Sequence, residues 1–94
     1  MSLRGFQKRI EEIYFEKDKA RGVEGTYMWF AEEVGELTRA LRRDDNRANL
    51  EEEFADVLAW LSTLASIRGV DLEEVALKKY GDGCPYCKAV PCAC

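Results

Sequence analysis

Ninety-four residues with a formal net charge of −4 allow one domain and argue against a nucleic-acid polymer as the main partner, because gripping a phosphate backbone takes a basic stripe and the charges here are interspersed. Histidine is absent, which excludes imidazole-based acid–base chemistry and the usual catalytic triads. No run of about twenty apolar residues is present to cross a bilayer, and the opening MSLRGFQKRIEE has no apolar signal core, so no membrane partner and a cytoplasmic location are the expectations.

Residues 3 to about 21 read as a first helix, with Phe6, Ile10, Ile13 and Tyr14 recurring at helical spacing among charges. GVEGT (22–26) reads as a break, with Thr26 able to cap the next helix. That second helix is expected over 27 to about 43, its apolar stripe made by Phe30, Val34, Leu37 and Leu41. After the polar connection RRDDNRAN, a third helix starts at Asn49, which has capping-box spacing to Glu52, or a turn earlier at Asp45. It runs to about Arg68 with Phe54, Val57, Leu58, Leu61, Leu64 and Ala65 inward, and Gly69 stops it. Asp71 and Glu74 repeat the capping spacing and open a short fourth helix through about Tyr80. No segment alternates apolar and polar with period two, so the expected fold class is all-α: a four-helix protomer over 1–81 and a Cys-rich tail over 82–94. About eighty residues make a marginal core, which oligomerisation or a structural metal would relieve.

The chemistry lies in two acidic pairs, Glu33 with Glu36 in AEEVGEL and Glu53 with Asp56 in EEEFADVL. Each pair is spaced i, i+3, so its members leave one helix face a turn apart, beside the apolar stripe. If the two helices pack antiparallel through a short connection, both pairs meet at one groove. Four carboxylates aimed at one spot repel unless a cation neutralises them. That predicts a hard divalent ion, Mg²⁺ or Mn²⁺, and through it a phosphate-bearing substrate. Glu51 and Glu52 also suit the first turn of a helix as dipole-favoured charges, and Glu32 also reads as a solvated neighbour.

Trp60 follows Asp56 by one turn on the same face and Trp29 precedes Glu33 by one turn. Either can stack on a base above metal-bound phosphates, and either can equally be core or dimer interface; Tyr27, Phe30 and Phe54 read as core. Lys78 and Lys79 end the fourth helix and are candidate phosphate contacts, whereas Arg39, Arg42 and Arg43 read as solvating charges near a helix C-terminus. The tail GDGCPYCKAVPCAC holds Cys84, Cys87, Cys92 and Cys94 as C-x₂-C-x₄-C-x-C. Two close pairs across a short turn can set four thiolates around one structural Zn²⁺, or iron, with no open position for catalysis. Disulfides or reduced thiols are the alternatives.

The paired motifs ExxE (Glu33–Glu36) and ExxD (Glu53–Asp56), worded EEVGEL and EEFADVLAWL, resemble the signature of the MazG-like nucleoside triphosphate pyrophosphohydrolases. That all-α group is related to dimeric dUTPases and dCTP pyrophosphatases. The helix order agrees from about residue 3 to 80, and the tail after KKYG resembles small archaeal-type members. The resemblance implies a hydrolase that converts an NTP or dNTP with water to the monophosphate and pyrophosphate, dependent on Mg²⁺, as a homodimer or homotetramer. Ions held by Glu33, Glu36, Glu53 and Asp56 would clamp the triphosphate and acidify a water for attack on the α-phosphorus. Glu32 and Glu52 are adjacent and not needed as ligands, which makes them candidate general bases. Lys78 and Lys79 lie near where the family carries Lys and Asn for phosphate, but Tyr80 and Gly81 stand where the Asn would come next. On the residues alone two other classes stay open: a non-catalytic metal- or nucleotide-binding module, and a zinc-tailed adaptor whose helices only oligomerise.

Overall fold

The computed structural model describes residues 1–94 and contains α-helix, turns and no strand. Helix runs over α1 (Leu3–Arg43), α2 (Arg47–Ile67) and α3 (Leu72–Tyr80). Within α1 the stretches expected as helices before and after GVEGT are joined across a kink at Gly22, whose φ of 84° and ψ of 174° are non-helical. That combination is open almost solely to glycine. Thr26, expected as a cap, is instead fully buried inside α1.

The interruption folds α1 over. A straight helix of its 41 residues would run about 61 Å at 1.5 Å per residue, whereas the longest dimension of the whole molecule is 41 Å. Asp18 and Trp29 lie on opposite sides of Gly22, yet their partners Thr63 and Trp60 sit within one turn of each other on α2. Two limbs of α1 therefore converge on α2.

Caps fix the remaining ends. Ser2 accepts from the Gly5 amide at 3.0 Å to start α1. Asp44, with φ of 48°, ends it and hands the chain through residues 44–46 to α2. The α2 cap is Asn46, accepting from the Asn49 amide at 3.1 Å, and neither Asp45 nor Asn49. Gly69, with φ of 68°, comes just after the end of α2 as expected. Asp71 caps α3 by accepting from the Glu74 amide at 3.0 Å.

Polar side chains tie the elements together. The buried Gln7 amide donates to Ser66 Oγ at 3.0 Å and to the Val70 carbonyl at 2.8 Å, and its oxygen accepts from the Leu72 amide at 3.0 Å. Arg4 pairs with Asp71 at 2.6 Å and Glu73 at 3.1 Å, holding α3 to the start of α1. The core is thin. Nine residues are buried, and five of them (Gln7, Asp18, Thr26, Ser62, Thr63) are polar. Tyr27 at 57 % and Phe54 at 52 % exposure are not core, because no third layer covers those faces of α1 and α2. No helix is long and apolar enough to cross a membrane.

Candidate metal centre

Antiparallel packing of α2 against the second limb of α1 runs the acidic segments past each other, just beyond the point where Trp29 meets Trp60. Carboxylate oxygens of Glu33, Glu53 and Asp56 come within 4.8 Å of one another. Glu36 does not join that mutual set, although its charge is the strongest neighbour acting on Glu33 and on Glu53. Burial first, and then the charges of Glu36 and Asp56, push both Glu33 and Glu53 above the usual carboxylate range. One oxygen of each, Glu33 Oε2 and Glu53 Oε2, is withdrawn from solvent with no hydrogen-bond partner. Buried acceptors are ordinarily satisfied, and three hard oxygen donors in a repelling cluster have the chemistry to hold a divalent ion such as Mg²⁺ or Mn²⁺. Glu32 and Glu52, the candidate bases, are exposed beside Glu33 and Glu53.

Two cavities flank the carboxylates. The first, about 340 Å³, is lined by Asp56 and Trp60 of α2 and by Tyr14, Lys17, Asp18 and Arg21 of the first limb of α1. Of the two tryptophans only Trp60 lines it, and Trp29 stacks on the Trp60 ring with centroids 5.9 Å apart and planes 11° apart. The Arg21 guanidinium lies 4.9 Å over the Trp60 ring. Arg21 is steered there by Asp18, 2.9 Å away, and the other Asp18 oxygen accepts from Thr63 Oγ1 at 3.0 Å. Sequence reasoning missed Tyr14, Lys17 and Arg21 as site residues. Their i, i+3 and i, i+4 spacing puts them on one face, but only the fold at Gly22 turns that face toward Asp56.

The second cavity, about 330 Å³, is lined by the carboxylates of Glu36, Asp45 and Glu53 and by Arg39, Arg43, Asn46 and Asn49. Arg39, read from sequence as a solvating charge, approaches Glu36 at 4.0 Å and faces this space together with Arg43. Lys78 and Lys79 line neither cavity; both are exposed on α3, and Lys79 sits 5.6 Å from the Tyr80 ring.

The tail gathers its four cysteines, whose Sγ atoms all lie within 4.8 Å of one another. Backbone amides point at the sulfurs, with Ala93 N 3.3 Å from Cys87 Sγ and Cys94 N 3.4 Å from Cys92 Sγ. Those of Ala93 and Ala89 hold the Cys87 thiol down to about 6.

An all-helical chain with clustered carboxylates on two antiparallel helices defines a class of acid-rich, metal-competent helical proteins. The family model of the MazG nucleotide pyrophosphohydrolase domain matches residues 21–88, and the chain belongs to that family. Nucleotide substrates and pyrophosphohydrolase activity come with the family in general terms. No curated protein matches the chain. The matched stretch opens at Arg21, leaving most of the first limb of α1 outside, and it closes between the two cysteine pairs.

Proposed function

We propose that this protein is a Mg²⁺- or Mn²⁺-dependent pyrophosphohydrolase that takes an NTP or dNTP and water to the nucleoside monophosphate and pyrophosphate. The observation that carries the reading is the pair of buried, partnerless oxygens, Glu33 Oε2 and Glu53 Oε2, in a cluster with Asp56. Neither Glu33 nor Glu53 is engaged in an ion pair with a lysine or arginine. Glu33, Glu53 and Asp56 hold the ion, with Glu36 completing the negative rim. A bound divalent ion supplies charge neutralisation for the triphosphate and a more acidic water.

The flanking cavities give the substrate a direction. The base enters on the Trp60 side, where the indole surface and Tyr14 can stack and Lys17 supplies charge. The β- and γ-phosphates lie toward Arg39 and Arg43, cations suited to the charge that builds on departing pyrophosphate. Cleavage between the α- and β-phosphorus then falls beside the carboxylates. Glu32 and Glu52 are the proposed acceptors of the water proton, and Lys78 and Lys79 would contribute only from another protomer. Met28, Leu41, Phe54 and Leu61 leave apolar surface uncovered, which supports a homo-oligomer in which a second copy covers it.

The test is a panel of NTPs and dNTPs, pyrimidine nucleotides included, with pyrophosphate release measured with and without Mg²⁺ or Mn²⁺. The reading requires metal-dependent release from at least one nucleotide and its loss in Glu53→Gln at unchanged helicity. Equal release from that variant, or none from any nucleotide, would reject it.

A further inference from the structure

Sulfur spacing in the tail matches a metal shell and not a disulfide. Cys84 Sγ lies 3.8 Å from Cys94 Sγ and 3.6 Å from Cys92 Sγ, and Cys87 Sγ lies 4.0 Å from Cys92 Sγ. Four sulfurs about 2.3 Å from a tetrahedral ion are separated along each edge by about 3.8 Å. A disulfide would need a pair at about 2.05 Å. Here all four crowd one point, and no pair stands out as bonded.

The backbone is shaped for the same purpose. Lys88 takes a left-handed φ of 63°, and its amide donates to the Cys84 carbonyl, turning the chain straight after Cys87. The Cys84 amide donates to the Ala89 carbonyl at 3.1 Å, which brings the second cysteine pair back over the first. Gly83, at φ of 116°, is tight against this turn: a Cβ there would meet Val90 Cγ2 at 2.9 Å and the Lys88 carbonyl oxygen at 3.0 Å. Amides aimed at Cys87 and Cys92 sulfur stabilise thiolate ligands once an ion is bound. The segment has little apolar substance of its own to hold it closed, with Tyr86 at 85 % and Val90 at 83 % exposure.

We propose that Cys84, Cys87, Cys92 and Cys94 form a closed, mononuclear tetrathiolate site for one divalent transition ion of the zinc type, and that this ion holds residues 82–94 in their fold. Each thiol binds as thiolate and gives its proton to the buffer; no electron is transferred. The site is structural because four sulfurs leave no open position. It is independent of the carboxylate cluster, whose hard oxygens select a different ion.

Co²⁺ titration of the reduced full-length protein, in excess Mg²⁺ to occupy the carboxylates, tests this directly. The intense thiolate-to-cobalt absorption should saturate at one ion per chain and collapse on adding one equivalent of Zn²⁺. It should vanish in Cys87→Ser/Cys92→Ser while helicity is retained, and persist in Glu33→Gln/Glu53→Gln. Limited trypsin digestion gives a second readout: cleavage after Lys88 should be at least about tenfold slower in the zinc-loaded chain than in the chelated one. Zinc or iron at one per purified chain supports the site. Absence of the sulfur band, its survival in the cysteine variant, or equal cleavage with and without metal would overturn it. All of these readouts are independent of turnover, so they separate this site from the fate of the enzymatic reading.

Discussion

The Trp29 and Trp60 indoles stack at 5.9 Å, one from each acid-bearing helix, so the aromatic wall and the carboxylates are built by the same helix pair. Any change in how α1 crosses α2 moves both together. Trp60 lines the cavity that Asp56 also lines. A base resting on Trp60 would therefore place its phosphates beside the carboxylates.

Trp60→Leu should raise KM for every accepted nucleotide by roughly 5- to 150-fold, the equivalent of about 1–3 kcal/mol of stacking, with a smaller effect on kcat. Steady-state kinetics across the panel would check this. Unchanged KM would place Trp60 in packing alone.

Asp18 is a positioning residue. It holds Arg21 at 2.9 Å and receives the Thr63 hydroxyl at 3.0 Å. Asp18→Ala should lower stability by about 1–3 kcal/mol, the cost of leaving buried polar groups without partners. Lys17→Ala, at an exposed position, should raise KM without the stability loss. Chemical denaturation alongside kinetics separates the two.

The metal-free protein should have an unusual pH profile. Glu33 and Glu53 are raised above 4.5 by burial and then by the charge of Glu36. A raised carboxyl favours the folded state in its protonated form. Its contribution is complete below about 4.5 and is lost as the pH rises through the raised folded value. Tm without metal should therefore fall as the pH rises above about 4.5, and Mg²⁺ or Mn²⁺ should abolish that fall. Asp71 acts oppositely. The Glu74 amide, and then Arg4, lower it from 3.8, so its contribution is present above 3.8 and disappears as the pH falls through the lowered value. Melts at several pH values with and without Mn²⁺ would show both limbs. A metal-insensitive profile would contradict the account.

Gly22→Ala should destabilise the fold by about 1–3 kcal/mol. The backbone there has φ of 84°, and a Cβ would meet nothing within 4 Å, so the loss is conformational and not steric. The variant should also raise KM, because the limb carrying Lys17 and Arg21 is aimed by that residue. A Tm equal to that of the wild type would show that α1 bends elsewhere.

Much of the helical pattern was legible because it rests on local chemistry. Asp71 with Glu74 marks a cap, Gly69 marks a stop, and i, i+3 spacing sets Glu33 with Glu36 on one face. Choices between neighbouring local signals were less secure: Asn46 outcompeted both Asp45 and Asn49, and only Gly22 in GVEGT leaves the helix. What depended on angles between elements was hidden. Spacing predicts that two acidic pairs can meet, but not that Glu36 stands outside the set formed by Glu33, Glu53 and Asp56. Nor can it show that Lys17 and Arg21 share a cavity with Asp56 across the fold at Gly22. Tyr27 and Phe54 were misread as core because apolar character does not say which chain covers it.

The most direct measurement is titration of the chelated protein with Mn²⁺, tracking the free-ion signal by electron paramagnetic resonance. The wild type should sequester Mn²⁺, and Mg²⁺ should compete for the same place. Glu33→Gln/Glu53→Gln should bind at least about tenfold more weakly, since loss of ligands costs no less than loss of their supporting contacts. Equal sequestration by the variant, or none by the wild type, would contradict the central claim that these buried oxygens exist to hold a divalent ion.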